Sequence, residues 1–181
     1  MGFQEMLKPQ DIVVAIKLLQ SRDGGPVPTY ASLALALRLS SSEVHAAVRR
    51  CLEVGLLRKP SGTTRTMPQP VVSAMEEFLV HGVKFIWPAK RGSMTRGVAT
   101  GSSLASVSRL LDVAEPTVPL VWPDPEGAMR GESLDPLYPR AVQACKDDPI
   151  LHEWLSLLDI LRLKTGREAS LAGAVIHHRL T

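Results

Sequence analysis

A chain of 181 residues, 45% hydrophobic and 22% charged, is long enough for one large or two small packed domains and too apolar to be disordered. No apolar run approaches the roughly 18 residues of a helical membrane span, so no membrane partner is expected. The start, Met1-Gly2-Phe3-Gln4-Glu5, lacks the basic and apolar regions of a secretory signal, so a cytoplasmic location is expected.

The net charge of +3 is unevenly placed: residues 1–68 carry nine Lys/Arg against five Asp/Glu, and residues 69–181 carry twelve against thirteen. A basic surface on the N-terminal part attracts phosphate backbones. Cys51 and Cys145 are far apart, and neither belongs to a C-x-x-C pair, so no zinc site or disulfide framework is expected.

The first helix opens near Pro9, which suits a first helical position. Ile12, Val13, Ile16 and Leu19 follow at helical spacing, and Asp23-Gly24-Gly25-Pro26 ends the run. Thr29 is the expected N-cap of a second helix over Tyr30-Ala31-Ser32-Leu33-Ala34-Leu35-Ala36-Leu37. Arg38-Leu39-Ser40 is a turn, and Ser40 with Glu43 forms a capping box for a third helix over about 41–54. Val44, Ala47, Val48, Cys51 and Leu52 make one apolar face of that helix, and Ser41, Ser42, His45, Ala46 and Arg49 lie on the other. Small side chains at its start permit entry to a major groove, and His or Arg further on can reach bases or phosphates. Leu56-Leu57-Arg58-Lys59 reads as a short strand, Pro60-Ser61-Gly62-Thr63-Thr64 as a turn and Arg65-Thr66-Met67 as the returning strand. On this basis Ser42, His45, Ala46 and Arg49 face bases, while Ser41, Arg50, Arg58, Lys59 and Arg65 hold the DNA backbone.

Three segments in register, Tyr30-Ala31-Ser32-Leu33-Ala34, Leu39-Ser40-Ser41-Ser42-Glu43-Val44 and Arg49-Arg50-Cys51-Leu52-Glu53-Val54-Gly55-Leu56-Leu57, resemble the winged helix-turn-helix of bacterial MarR-like regulators. The resemblance covers about residues 8–68. It implies that the helix opened by Leu39-Ser40 is the recognition helix and that the chain is a double-stranded DNA-binding transcriptional regulator, with repression as the expected direction.

In residues 69–181, Val71 to Val80 reads as a helix ended by His81-Gly82, and Val83-Lys84-Phe85-Ile86-Trp87-Pro88 as a strand. A basic, glycine-rich loop over Lys90–Gly101 follows, then a second strand-like segment, Val118-Pro119-Leu120-Val121-Trp122-Pro123, and a turn at Asp124-Pro125-Glu126-Gly127. Both segments run apolar-Trp-Pro, then Met with Arg-Gly close behind, which suggests either a degenerate repeat or two similar hairpins paired in one small sheet. Lys84, Lys90, Arg91, Arg96 and Arg109 lie between Glu77 and Asp112 with no acid among them. Lys90, Arg91, Arg96 and Arg130 are candidates for a partner or an additional DNA contact, against the plainer reading of a solvated hairpin loop. Asp148 and Pro149 open a strongly apolar helix, Gly166 breaks it, and a last helix covers about 167–180. That apolar face is buried either inside the domain or in a homodimer, the form in which helix-turn-helix regulators read two half-sites.

The segments His81-Gly82-Val83-Lys84-Phe85, Trp87-Pro88-Ala89, Thr95-Arg96-Gly97-Val98, Val121-Trp122-Pro123, Arg130-Gly131 and Pro136-Leu137-Tyr138-Pro139, with Leu157-Leu158-Asp159-Ile160-Leu161-Arg162, resemble bacterial winged-helix proteins of the kind that includes antitoxins paired with nucleotidyltransferase-type toxins. That resemblance implies an alternative: a protein-interaction module neutralising a toxin-type partner enzyme through the C-terminal half.

The five histidines, His45, His81, His152, His177 and His178, form no ligand pair, and no H-E-x-x-H, G-x-S-x-G or phosphate-loop pattern occurs. No catalytic residues, metal ligands or cofactor are expected. The expected fold is α+β, mainly α, with a winged helix-turn-helix over 1–68 and a small sheet with helices over 69–181.

Overall fold

The computed structural model describes residues 6–22, 27–60, 67–163 and 166–181. It is 57% helical and 14% strand, so the chain is α+β and mainly α. It divides into two units, Met1–Met75 and Glu76–Thr181, each with its own core.

The first unit holds α1 (Pro9–Gln20), α2 (Tyr30–Leu37), α3 (Ser41–Glu53), β1 (Leu57–Arg58) and β2 (Gln69–Pro70). Pro9 takes the first turn of α1, and the Asp11 carboxylate accepts from the Lys8 N–H at 2.7 Å. Thr29 caps α2, accepting from the Ser32 N–H at 3.0 Å. Arg38 turns the chain out of α2 in the left-handed region, with φ 55°. The Ser40–Glu43 box forms as expected: Glu43 N–H donates to Ser40 Oγ at 3.2 Å, and Ser40 N–H donates to Glu43 Oε2 at 2.8 Å. Each side chain thereby satisfies an amide that the helix cannot. Ile12, Ile16, Leu33, Leu37, Val44, Val48 and Leu57 are buried where the three helices meet.

The returning strand differs from expectation. Leu57 pairs with Pro70 and Arg58 with Gln69, so the antiparallel pairing lies beyond Met67 and carries the unit past residue 68. The turn Ser61–Thr64 and the expected strand residues Arg65 and Thr66 lie outside the described residues, as does Asp23-Gly24-Gly25-Pro26.

In the second unit, the segment expected to be helix and then strand is helical throughout. α4 (Val72–Glu77), which begins in the first unit, runs into a π-helical turn (Phe78–Gly82) and then α5 (Val83–Ile86). Gly82 does not end the helix: it sits on the wide π turn, against the Phe78 ring. A four-residue segment such as Val83–Ile86 is too short to show a periodicity of its own, and packing against a later helix decides it.

The expected glycine-rich loop is a strand, β3 (Arg91–Ala99). After a short 3-10 turn (Gly101–Ser103) and α6 (Ala105–Leu111) come β4 (Leu120–Pro123) and β5 (Met129–Leu134). The three strands close on one another: β3 is antiparallel to both β4 and β5, and β4 and β5 are parallel. Closure this tight needs glycine at the crossings. A Cβ on Gly97 would strike the Trp122 carbonyl, and one on Gly131 the Pro119 carbonyl. The two apolar-Trp-Pro segments are therefore not structural repeats, since one ends a helix and the other is a strand. The two Arg-Gly dipeptides do share a sheet, and their arginines pair with each other.

α7 (Ala141–Cys145), α8 (Pro149–Leu163) and α9 (Gly166–Leu180) complete the unit. Asp148 caps α8 as expected, accepting from the Leu151 N–H at 2.9 Å. Leu151, Trp154, Leu155, Leu157, Leu158, Ile160 and Leu161 are all buried within this unit, so the apolar face of α8 is covered without a second copy.

Candidate nucleic-acid interface

α2, the turn over Arg38-Leu39-Ser40 and α3 form a helix-turn-helix in which α3 packs on both α1 and α2. Its buried face is Val44, Ala47, Val48 and Cys51. Ser41, Ser42, His45 and Arg49 are exposed and Ala46 is half-buried, so five expected contact residues share the outer face. Ser42, His45, Ala46 and Arg49 border an open depression of about 610 Å³ with Tyr30.

Tyr30 adds a feature that spacing alone does not reveal. Its ring stacks on His45 with centroids 3.6 Å apart and planes 12° from parallel. The first residue of α2 thus fixes the imidazole orientation at the centre of the α3 face. Arg49 is 62% exposed, with Glu53 one turn on at 3.9 Å.

Arg50 is a correction. It does not reach out to a DNA backbone: it is 3% exposed, and its Nε and Nη2 both donate to the Asp11 carboxylate at 2.6 Å. Asp11 is fully buried and also caps α1, so one carboxylate joins the start of α1 to the last turn of α3. The one-residue step from Arg49 to Arg50 is about 100° around a helix, enough to move a side chain from solvent to core. Burial, with Asp11 adding to it, pushes the neighbouring Cys51 thiol up to about 12, so this cysteine is an inert core group.

Arg58 and Lys59 are exposed at β1, as expected of wing residues. Arg22 lines the same groove as Arg58, about 550 Å³ in size, and is a cation that the sequence reading passed over. Arg65 lies outside the described residues.

In the second unit Lys90, Arg91, Arg96 and Arg130 are all exposed, but Arg91 is engaged by Glu132 at 2.9 Å. The groups that organise this unit are interior ones. Asp159 accepts from Thr100 Oγ1 at 2.7 Å, Trp122 Nε1 at 2.6 Å and Arg162 Nη1 at 2.6 Å. Arg162 also donates to the carbonyls of Trp87 (2.9 Å) and Asp135 (3.1 Å). The signal for this hub was present in the sequence as an Asp and an Arg inside the apolar run Leu157–Leu163. Burial raises the Asp159 carboxyl above the ordinary carboxylate range, opposed by Arg162 and the Thr100 and Trp122 hydrogen bonds. His152 Nε2 bonds the Ala99 carbonyl at 2.8 Å, and burial lowers its imidazole below the ordinary value.

Among the described residues no cluster of three or more His, Cys, Asp or Glu is placed to hold a metal ion. Nor is any helix among them long and apolar enough to cross a membrane. Comparison with protein-family models, curated proteins and solved structures finds no match.

Proposed function

We propose that this protein is a transcriptional regulator that binds double-stranded DNA, as a homodimer and in the sense of repression, with α3 as its recognition helix. The observation that carries this reading is the outer face of α3. Small polar residues at its exposed start are followed by a stacked imidazole and an exposed guanidinium, on a helix held from behind by two others. Arg58, exposed on the short strand that follows, and Lys59 just after it supply cations for phosphate.

The test is titration of the DNA upstream of its own gene against random duplex. Arg49→Ala should weaken selective binding by roughly tenfold or more, the range for loss of a base contact. His45→Ala should relax selectivity at one position. If both variants match the unsubstituted protein, α3 is not the recognition helix.

A second reading, a module that binds a partner enzyme through the second unit, draws on Phe85 and Ile86, which are 67% and 53% exposed at the end of α5. Phe85→Ser/Ile86→Ser would then abolish partner capture and leave DNA binding intact.

A further inference from the structure

β3 and β5 place Arg96 directly opposite Arg130. Directly opposed residues of an antiparallel pair project on the same face. The Arg96 carbonyl accepts from the Asp124 N–H at 3.2 Å, so its backbone groups turn away from β5. The pair is therefore of the non-hydrogen-bonded kind, in which side chains stand closest. Both guanidiniums are exposed. The nearby acids do not pair with them: Glu132 holds Arg91 at 2.9 Å, and the Asp124 carboxylate accepts from the Glu126 N–H at 2.8 Å. Among the described residues neither Arg96 nor Arg130 has an ion-pair or side-chain hydrogen-bond partner.

Two permanent cations facing each other across a ladder repel, and the strands cannot slip to relieve them. Gly97 and Gly131, each next to one of the arginines, are buried at crossings that admit no Cβ. The register is thus fixed with an uncompensated pair of forked donors, the geometry that suits an oxyanion accepting from both.

We propose that Arg96 and Arg130 form a clamp for one backbone phosphate of nucleic acid. The choice of phosphate over a protein carboxylate rests on the DNA reading above and on the local charge. Arg91 begins the same strand and Lys90 immediately precedes it, and residues 78–111 contain five Lys/Arg and no acid, a field suited to a polyanion.

The test uses the full chain, a labelled 20-base-pair random duplex and a salt series. Arg96→Gln/Arg130→Gln should make the slope of log affinity against log salt shallower by about 0.9, the value for one duplex phosphate. The ratio of selective to random binding should stay unchanged. Without nucleic acid, the same variant should melt higher at low salt than the parent, because repulsion is relieved; a structural role would lower it. If the parent binds duplex and the variant's slope is the same, the clamp is wrong. If the parent binds no duplex, the reading of α3 fails, and the clamp is judged on a single-stranded oligothymidylate: a parent slope steeper than the variant's by about 0.7 keeps it, and equal slopes overturn it. Loss of poly-glutamate binding in the variant, with an unchanged nucleic-acid slope, would overturn the phosphate assignment in favour of an acidic protein segment.

Discussion

Arg49 and Arg50 are adjacent in the chain and opposite in environment, and each makes its own prediction. Removing one partner of a buried ion pair leaves an uncompensated charge, at a cost of about 3–5 kcal/mol. Arg50→Ala should therefore destabilise the first unit by that order, read as an early far-UV circular dichroism transition in denaturant. Asp11→Leu/Arg50→Met should recover most of the loss, because it leaves no charge behind. Arg49→Ala, on a side chain 62% exposed, should alter stability by less than about 0.5 kcal/mol while weakening selective DNA binding. The capping residues, the apolar face of α3 and the outward direction of Ser41, Ser42, His45 and Arg49 were legible in the sequence, because local hydrogen bonding and helical spacing dictate them. The Asp11–Arg50 pair and the Tyr30–His45 stack were not. Both join residues far apart in the chain, and a cation next to an exposed cation carries no mark of being buried.

At the scale of elements, α1, α2, α3, β4, α8 and α9 follow from spacing, caps and breakers, whereas α5 and β3 do not. Val83–Ile86 is too short for its pattern to distinguish helix from strand, and Gly82 resembles a stop signal because a π turn has no local signature. In β3, glycines that normally mark loops are there because neighbouring backbone comes too close for any side chain. Gly97→Val should consequently prevent closure of the three strands. All three tryptophans, Trp87, Trp122 and Trp154, lie in the second unit, so their emission should shift to the red in this variant while the first-unit signal of Arg50→Ala is absent. Native-like emission from Gly97→Val would contradict the strand crossing. His152 supplies a pH test of the same unit. Its lowered imidazole means that folding favours the neutral ring and protonation favours the unfolded chain. The stabilisation is complete above about pH 6.5, the ordinary histidine value, and is lost as pH falls towards the lowered folded value. The tryptophan-monitored melting temperature should drop between pH 7 and pH 5, and His152→Gln should drop less over that interval.

For the whole molecule, two units with separate cores carry cations of different kinds. In the first, exposed cations accompany a helix whose exposed start carries small polar side chains. In the second, strand register forces two arginines together without a counter-charge. Recognition of DNA by α3 is tested by binding of the full chain to the duplex upstream of its own gene and to random duplex, each at 50 and 200 mM salt. Tighter binding to the upstream duplex is expected at both concentrations, with a steep loss of affinity with salt on both duplexes, and the difference between duplexes should shrink by roughly tenfold or more in Arg49→Ala. Equal affinity for the two duplexes, or selectivity unchanged in Arg49→Ala, would contradict recognition by α3.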